Sequence, residues 1–121
     1  MSTLDLSPEK VAILWHRGDA FNRGEFLKVD SAGATLAIVG DPELKVAPAA
    51  DVEPTVTLTD GSGLTVDKPS GSVQPSATAS DMSAVAALGP GRYVWELAEV
   101  TADGPITLAA GEFVSTDDIG A

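Results

Sequence analysis

The chain has 121 residues, 44% hydrophobic and 21% charged, with a formal net charge of −11, a single histidine and no cysteine. That length suffices for one domain with a real core, and the missing cysteines exclude disulfides, thiolate catalysis and cysteine-bound metals. The acidic balance argues against nucleic acid, whose phosphates must be neutralised by Lys and Arg, and against anionic membrane surfaces.

After Lys68 the only cation is Arg92. Such charge reads first as solubility at high local concentration, with attraction to a basic partner surface as the sharper alternative. No segment approaches the roughly 20 apolar residues needed to cross a bilayer. The polar, acidic stretch over residues 1–10 is no signal peptide, so synthesis and folding in the cytoplasm are expected.

In chain order, MSTLDLSPEK (residues 1–10) reads as an extended arm, with Pro8 interrupting regular structure. VAILWH is the first strand candidate, followed by the glycine-broken RGDAFNRGE and a second candidate, FLKV. ATLAIVG is expected as a third strand, with Leu36 and Ile38 on one face. Residues 41–54 carry three prolines and several alanines and are read as a loop or irregular crossing. TVTLT and LTVD flank DGSG, which predicts a hairpin over residues 55–67. SGSVQPSAT is a weak strand whose Pro75 points to an edge or a bulge.

SDMSAVAALG holds the one helical signal: about two turns, with Ser80 as N-cap and Gly89 closing the end. GRYVWELAEV and ITLAAGEFV then form a hairpin around Asp103-Gly104. Tyr93, Trp95 and Leu97 share one strand face. Ile106 and Leu108 share a face of the return strand, but strict alternation turns Phe113 the other way. A β-bulge at residues 109–111 is expected to restore Phe113 to the core side. The predicted core accordingly includes Trp15, Tyr93, Trp95, Leu97, Ile106, Leu108 and Phe113. STDDIGA is a polar tail.

About seven short strands and one tiny helix predict an all-β immunoglobulin-like antiparallel β-sandwich with a crossover helix. The expected organisation is an arm over residues 1–10, the sandwich over 11–115 and an acidic tail over 116–121. Tyr93, near the start of a strand entered from a helix, is placed to return its hydroxyl to upstream backbone, as at the tyrosine corner of such sandwiches.

Catalytic chemistry finds little material. His16 has no nucleophile in a recognised strand–turn setting, and one histidine without cysteine supplies no transition-metal site. Glu96 and Glu99 fall on opposite strand faces, so they do not form a carboxylate pair. GSGLTV, between Asp60 and Asp67, lacks the alternating acids of a calcium loop. Arg17-Gly18-Asp19 spells an adhesive tripeptide, but Gly-Asp between strands is mainly turn chemistry. No cofactor and no metal are expected.

Two separated stretches resemble one family. WHRGDAF resembles the RGD-(S/T)-F opening of a tailed-phage family. ALGPGRYVWELAEVTADGPITLAAGEFVST resembles its ending: a Leu-Pro-x-Gly-x-Tyr lead-in, a strand, an Asp-Gly turn and a small-Gly-x-Phe strand. DGSGLTVDKPSGSV fits its middle. The family is typified by the N-terminal domain of the upper baseplate protein of lactic phages, an immunoglobulin-like module of phage structural gene clusters. Trp95-Glu96-Leu97 departs from its frequent Tyr-Asp-Leu, and residues 41–54 have no counterpart.

The resemblance implies a non-enzymatic virion structural protein, an adaptor or accessory subunit of tail, baseplate, neck or capsid. Its partners would be other virion proteins and further copies of itself in a symmetric particle. Leu4 and Leu6 of the arm and His16, Arg17 and Asp19 of the first loop are the expected partner-binding residues. The alternative is a carbohydrate- or cell-surface-binding module, which would need exposed tryptophan platforms.

Overall fold

Apolar residues at period two carry the described residues of this chain into nine strands and one helical turn. The computed structural model describes residues 9–10, 12–30 and 32–117. In order, the elements are β1 (Glu9–Lys10), β2 (Ile13–His16), β3 (Phe26–Leu27), β4 (Asp41–Ala47), β5 (Val56–Asp60), β6 (Gly63–Asp67), β7 (Ser72–Pro75), α1 (Ser83–Ala87), β8 (Gly91–Thr101) and β9 (Gly104–Thr116). The class is all-β, as the strand inventory predicts.

The strands form one hydrogen-bonded path, β1-β9-β8-β4-β5-β6-β7-β3, with β2 also on β9. β1 and β2 keep one register along β9, Glu9 opposite Ala109 and Ile13 opposite Phe113, so they are two pieces of a single edge strand. Both run parallel to β9. The sheet is therefore mixed, where a wholly antiparallel one was expected. It curls until its ends meet over a shared core: Phe26 of β3 packs on Trp95 of β8 (ring centroids 5.3 Å apart), and Phe21 meets Phe113 of β9 edge-on at 5.8 Å.

The β8–β9 hairpin forms where Asp-Gly predicts one, but its two loop residues are Ala102 and Asp103, and Gly104 is already in the strand opposite Thr101. Thr101 Oγ1 donates to the Gly104 carbonyl (2.8 Å) and accepts from the Asp103 amide (3.2 Å). The register shifts once: Leu97 faces Ala109, but Ala98 faces Thr107. Leu108 is thus the extra residue, just ahead of the expected position at residues 109–111. The result is the predicted one, with Phe113 fully buried opposite Tyr93. Trp15, Trp95 and Leu97 are buried, and Tyr93 and Leu108 pack against them half-buried. Ile106 is the exception among the predicted core residues. It is 49% exposed, because it lies on the turn side of the bulge near the hairpin tip, beyond the reach of the facing layer.

Four other expectations are corrected. Residues 41–47 are not a loop but β4, paired to β8 on one side and β5 on the other. Pro42, Leu44 and Val46 point inward at period two. Pro42 is tolerated because the register with β5 begins only at Glu43, so its missing N–H falls outside that ladder. Residues 34–40 are not a strand: Leu36 is exposed while Ile38 is buried, and the segment forms an irregular strap held by side-chain and loop bonds. Residues 55–67 are not an antiparallel hairpin. β5 and β6 touch only at Thr59–Gly63 and Asp60–Leu64, in parallel register, and β6 turns away to pair with β7.

The fourth concerns the helix start. Its N-cap position is Met82, without a side-chain cap, rather than Ser80. One turn earlier, the Thr78 amide donates to Asp81 Oδ2 (2.9 Å) and the Asp81 amide to Thr78 Oγ1 (3.1 Å). This is the reciprocal pattern of a capping box, built on Thr-x-x-Asp.

Gly89 closes the helix at φ +87°, its amide on the Ala86 carbonyl. The Tyr93 hydroxyl donates to the backbone carbonyls of Gly89 (2.6 Å) and Leu88 (3.1 Å). Tyr93 thereby pins the helix end to the start of β8. Tyr93→Phe removes this tie while preserving the ring's packing. It is expected to cost about 1–2 kcal/mol in urea or guanidinium unfolding, with an unchanged far-UV circular dichroism spectrum.

Candidate functional site

The predicted partner residues of the first loop gather at one end of the molecule. β2 ends at His16 and the chain turns at once, the Asp19 amide donating to the His16 carbonyl at 3.0 Å. The Trp15 indole N–H donates to the Asp19 carbonyl at 3.1 Å, tying the turn to the core. Arg17 is held twice, by its amide on the Thr116 carbonyl (2.8 Å) and by its guanidinium on Asp117 (2.6 Å). His16, Arg17 and Asp19 are all exposed. Arg17-Gly18-Asp19 is therefore first a turn, with the Arg17 charge already matched within the chain. Leu4 and Leu6 lie outside the described residues.

Beside this turn runs an open groove of about 600 Å³. One wall is β2, all four residues of which line it. The other is the segment from Asp19 to Phe26. Its apolar lining includes Leu14, 78% exposed and the most exposed large hydrophobic among the described residues, together with Phe21 and Phe26. Residue patterning had marked the turn but not this groove. The turn after His16 folds residues 19–26 back beside β2, and the backbone pairing of Phe21 with Ala77 fixes the far wall. A second depression of about 400 Å³ lies on the outer sheet face between Lys45, Val94 and Glu96 and the loop carrying Asp51 and Val52.

One buried acid was overlooked as a partner in anything. Glu99 is fully buried, and its carboxylate accepts from Lys28 Nζ and from the amides of Val39 (3.0 Å) and Gly40 (3.1 Å). The signal was present in the parity: Tyr93, Trp95, Leu97 and Glu99 alternate on one face of β8. Glu99 anchors the strap of residues 28–40. The Gly71 backbone sits under that strap, its carbonyl accepting from the Lys28 amide at 2.9 Å. A Cβ on Gly71, at φ +72°, would run into the Leu36 carbonyl oxygen. A buried acid with a perturbed pKa is a functional candidate in general. Here its contacts are the Lys28 ammonium and the two strap amides, and it lines neither of the two grooves described above.

Among the described residues, no group of three or more His, Asp or Glu is arranged to hold a metal ion, and no helix is long and apolar enough to span a membrane. Ser115 Oγ is the one buried side-chain polar atom without a hydrogen-bond partner among the described residues. It opens on neither groove. No family model, no curated protein and no solved structure matches this chain.

Burial alone raises the pKa of the Glu99 carboxyl, but the Lys28 bond, the two amides and the Lys28 charge outweigh it and hold the pKa below the usual carboxylate range. Glu99 thus adds stability above its unfolded pKa of about 4.3, and that stability is lost as pH falls through its lower folded value. Denaturation midpoints measured from neutral pH down into this window should fall in the native protein. In Glu99→Gln they should fall less over the same window. The variant should also be less stable at neutral pH, by about 3 kcal/mol, because Lys28 loses its counter-charge.

Proposed function

We propose that this chain is a non-enzymatic structural subunit of a tailed-phage particle, an adaptor or accessory part of tail, baseplate, neck or capsid, built on a variant of the immunoglobulin-like sandwich. The observation that carries the reading is the tyrosine corner. In the stretch that resembles the phage family's ending, Tyr93 follows a Leu-Gly-Pro-Gly lead-in and returns its hydroxyl to Leu88 and Gly89. That contact is a hallmark of immunoglobulin-like sandwiches.

The rest of the molecule suits a docking part better than a reactive one. All six Trp, Tyr and Phe side chains are buried or half-buried. The exterior is acidic, and among the described residues the sheet has two open edges, along β1 and β2 and along β3. Open edges present unpaired N–H and C=O groups on which another chain adds strands. Repetition in a particle multiplies such contacts and gives avidity without large interfaces.

The carbohydrate-binding alternative loses its platforms, because Trp15 and Trp95 are only 4% and 2% exposed. Acrylamide quenching separates the two readings. The structural subunit is expected to show strongly protected tryptophan fluorescence, unchanged by added oligosaccharides. Decisively, the protein is expected in mass spectra of gradient-purified virions released by bacteria carrying the gene, at a stoichiometry of several copies per particle. Its absence from those particles would overturn the proposal.

A further inference from the structure

We infer that the groove between β2 and residues 19–26 receives the N-terminal segment, residues 2–8, of a second copy of this chain. The inference goes beyond the virion reading and does not depend on it.

The groove follows a sheet edge. β2 gives one side to β9, and among the described residues no strand pairs with its other side. The four residues of β2 offer about 13 Å of open backbone. Its far wall leads directly into β3, the opposite end of the curled sheet. The groove is therefore the gap where the sheet fails to close on itself. A strand entering it would gain backbone bonds from β2 and a partly apolar bed from Leu14, Phe21 and Phe26.

Residues 2–8, STLDLSP, suit that bed by sequence. Leu4 and Leu6 are two apart and share a face in an extended chain, with Asp5 on the other. Arg23, on the far wall, has no ion-pair partner among the described residues and offers a charge of the opposite sign to Asp5.

The register decides between a chain's own segment and a neighbour's. β1 runs parallel to β9 with Glu9 opposite Ala109, four positions short of the groove at Phe113–Thr116, so a segment preceding Glu9 could enter the groove of its own molecule only by reversing direction. The tightest reversal, a two-residue turn at residues 7 and 8, would set Leu6 across from Glu9 and Leu4 across from Val11. Any longer turn retreats further. Neither leucine then reaches Ile13, where the groove begins. A second copy has no such restriction.

The test uses the full chain and a form lacking residues 2–8, both checked for folding by circular dichroism and thermal melting. By sedimentation velocity the full chain should form dimers or larger species that grow with concentration, and the shortened form should remain monomeric. A labelled synthetic peptide of residues 1–9 should bind the shortened form. Binding should weaken about tenfold or more when the peptide carries Leu4→Asp and Leu6→Asp, or when the protein carries Leu14→Asp on the groove wall. A full chain that stays monomeric while the peptide binds would assign the groove to the chain's own segment and overturn the exchange. Oligomers that survive the deletion, or peptide binding indifferent to Leu14→Asp, would overturn it equally.

Discussion

The structure depends on where Phe113 points. One extra residue in β9, Leu108, resets the alternation of that strand so that Phe113 enters the core opposite Tyr93. Around Phe113 the rest assembles: Trp15 of the edge strand leans on it at 5.7 Å, and Phe21 of the far wall meets it edge-on. A β-bulge bends its strand and increases the local twist. Here the twist brings the two ends of one sheet together, and the large aromatic surfaces make that closure favourable. Without the slip, Phe113 would face outward and the ends would keep only the contact of Phe26 on Trp95.

The closure remains incomplete, and the incompleteness is where interaction chemistry resides. The sheet ends at β2 on one side and at β3 on the other, and an open apolar groove occupies the gap between them. Elsewhere the exterior is acidic, with ion pairs such as Arg92–Glu112 exposed and worth little individually. The one charge pair placed where it matters is Lys28–Glu99, because burial removes the screening that weakens surface pairs. It replaces regular strand pairing for residues 28–40, fastening by three side-chain bonds a segment whose backbone makes few ladder bonds.

Much of the C-terminal half was legible in the residues. The Asp-Gly turn, the inward Trp95–Leu97 face, the need for a bulge and the tyrosine corner all rest on local rules of turn geometry and period two. The N-terminal half was harder. DPELKVA alternates as cleanly as any strand here, but its proline and the alanine-rich stretch after it argued for a loop. A proline is permitted in that strand only because β5 starts one residue later. ATLAIVG carries β-forming residues yet is a strap, since Glu99, from a distant strand, takes the amides of Val39 and Gly40. Ile106 obeys the alternation but lies outside the curl.

By itself, then, the amino-acid order determined the class, the β8–β9 hairpin, and which aromatic residues seek the interior, because these follow from backbone geometry and hydrophobicity within a few residues. Only the tertiary structure decided the mixed sheet, the parallel edge along β9, the Glu99 anchor and the groove beside β2. The parallel edge and the Glu99 anchor join residues some 60 to 100 positions apart, and no local pattern encodes which distant partner a strand edge or a buried carboxylate will find.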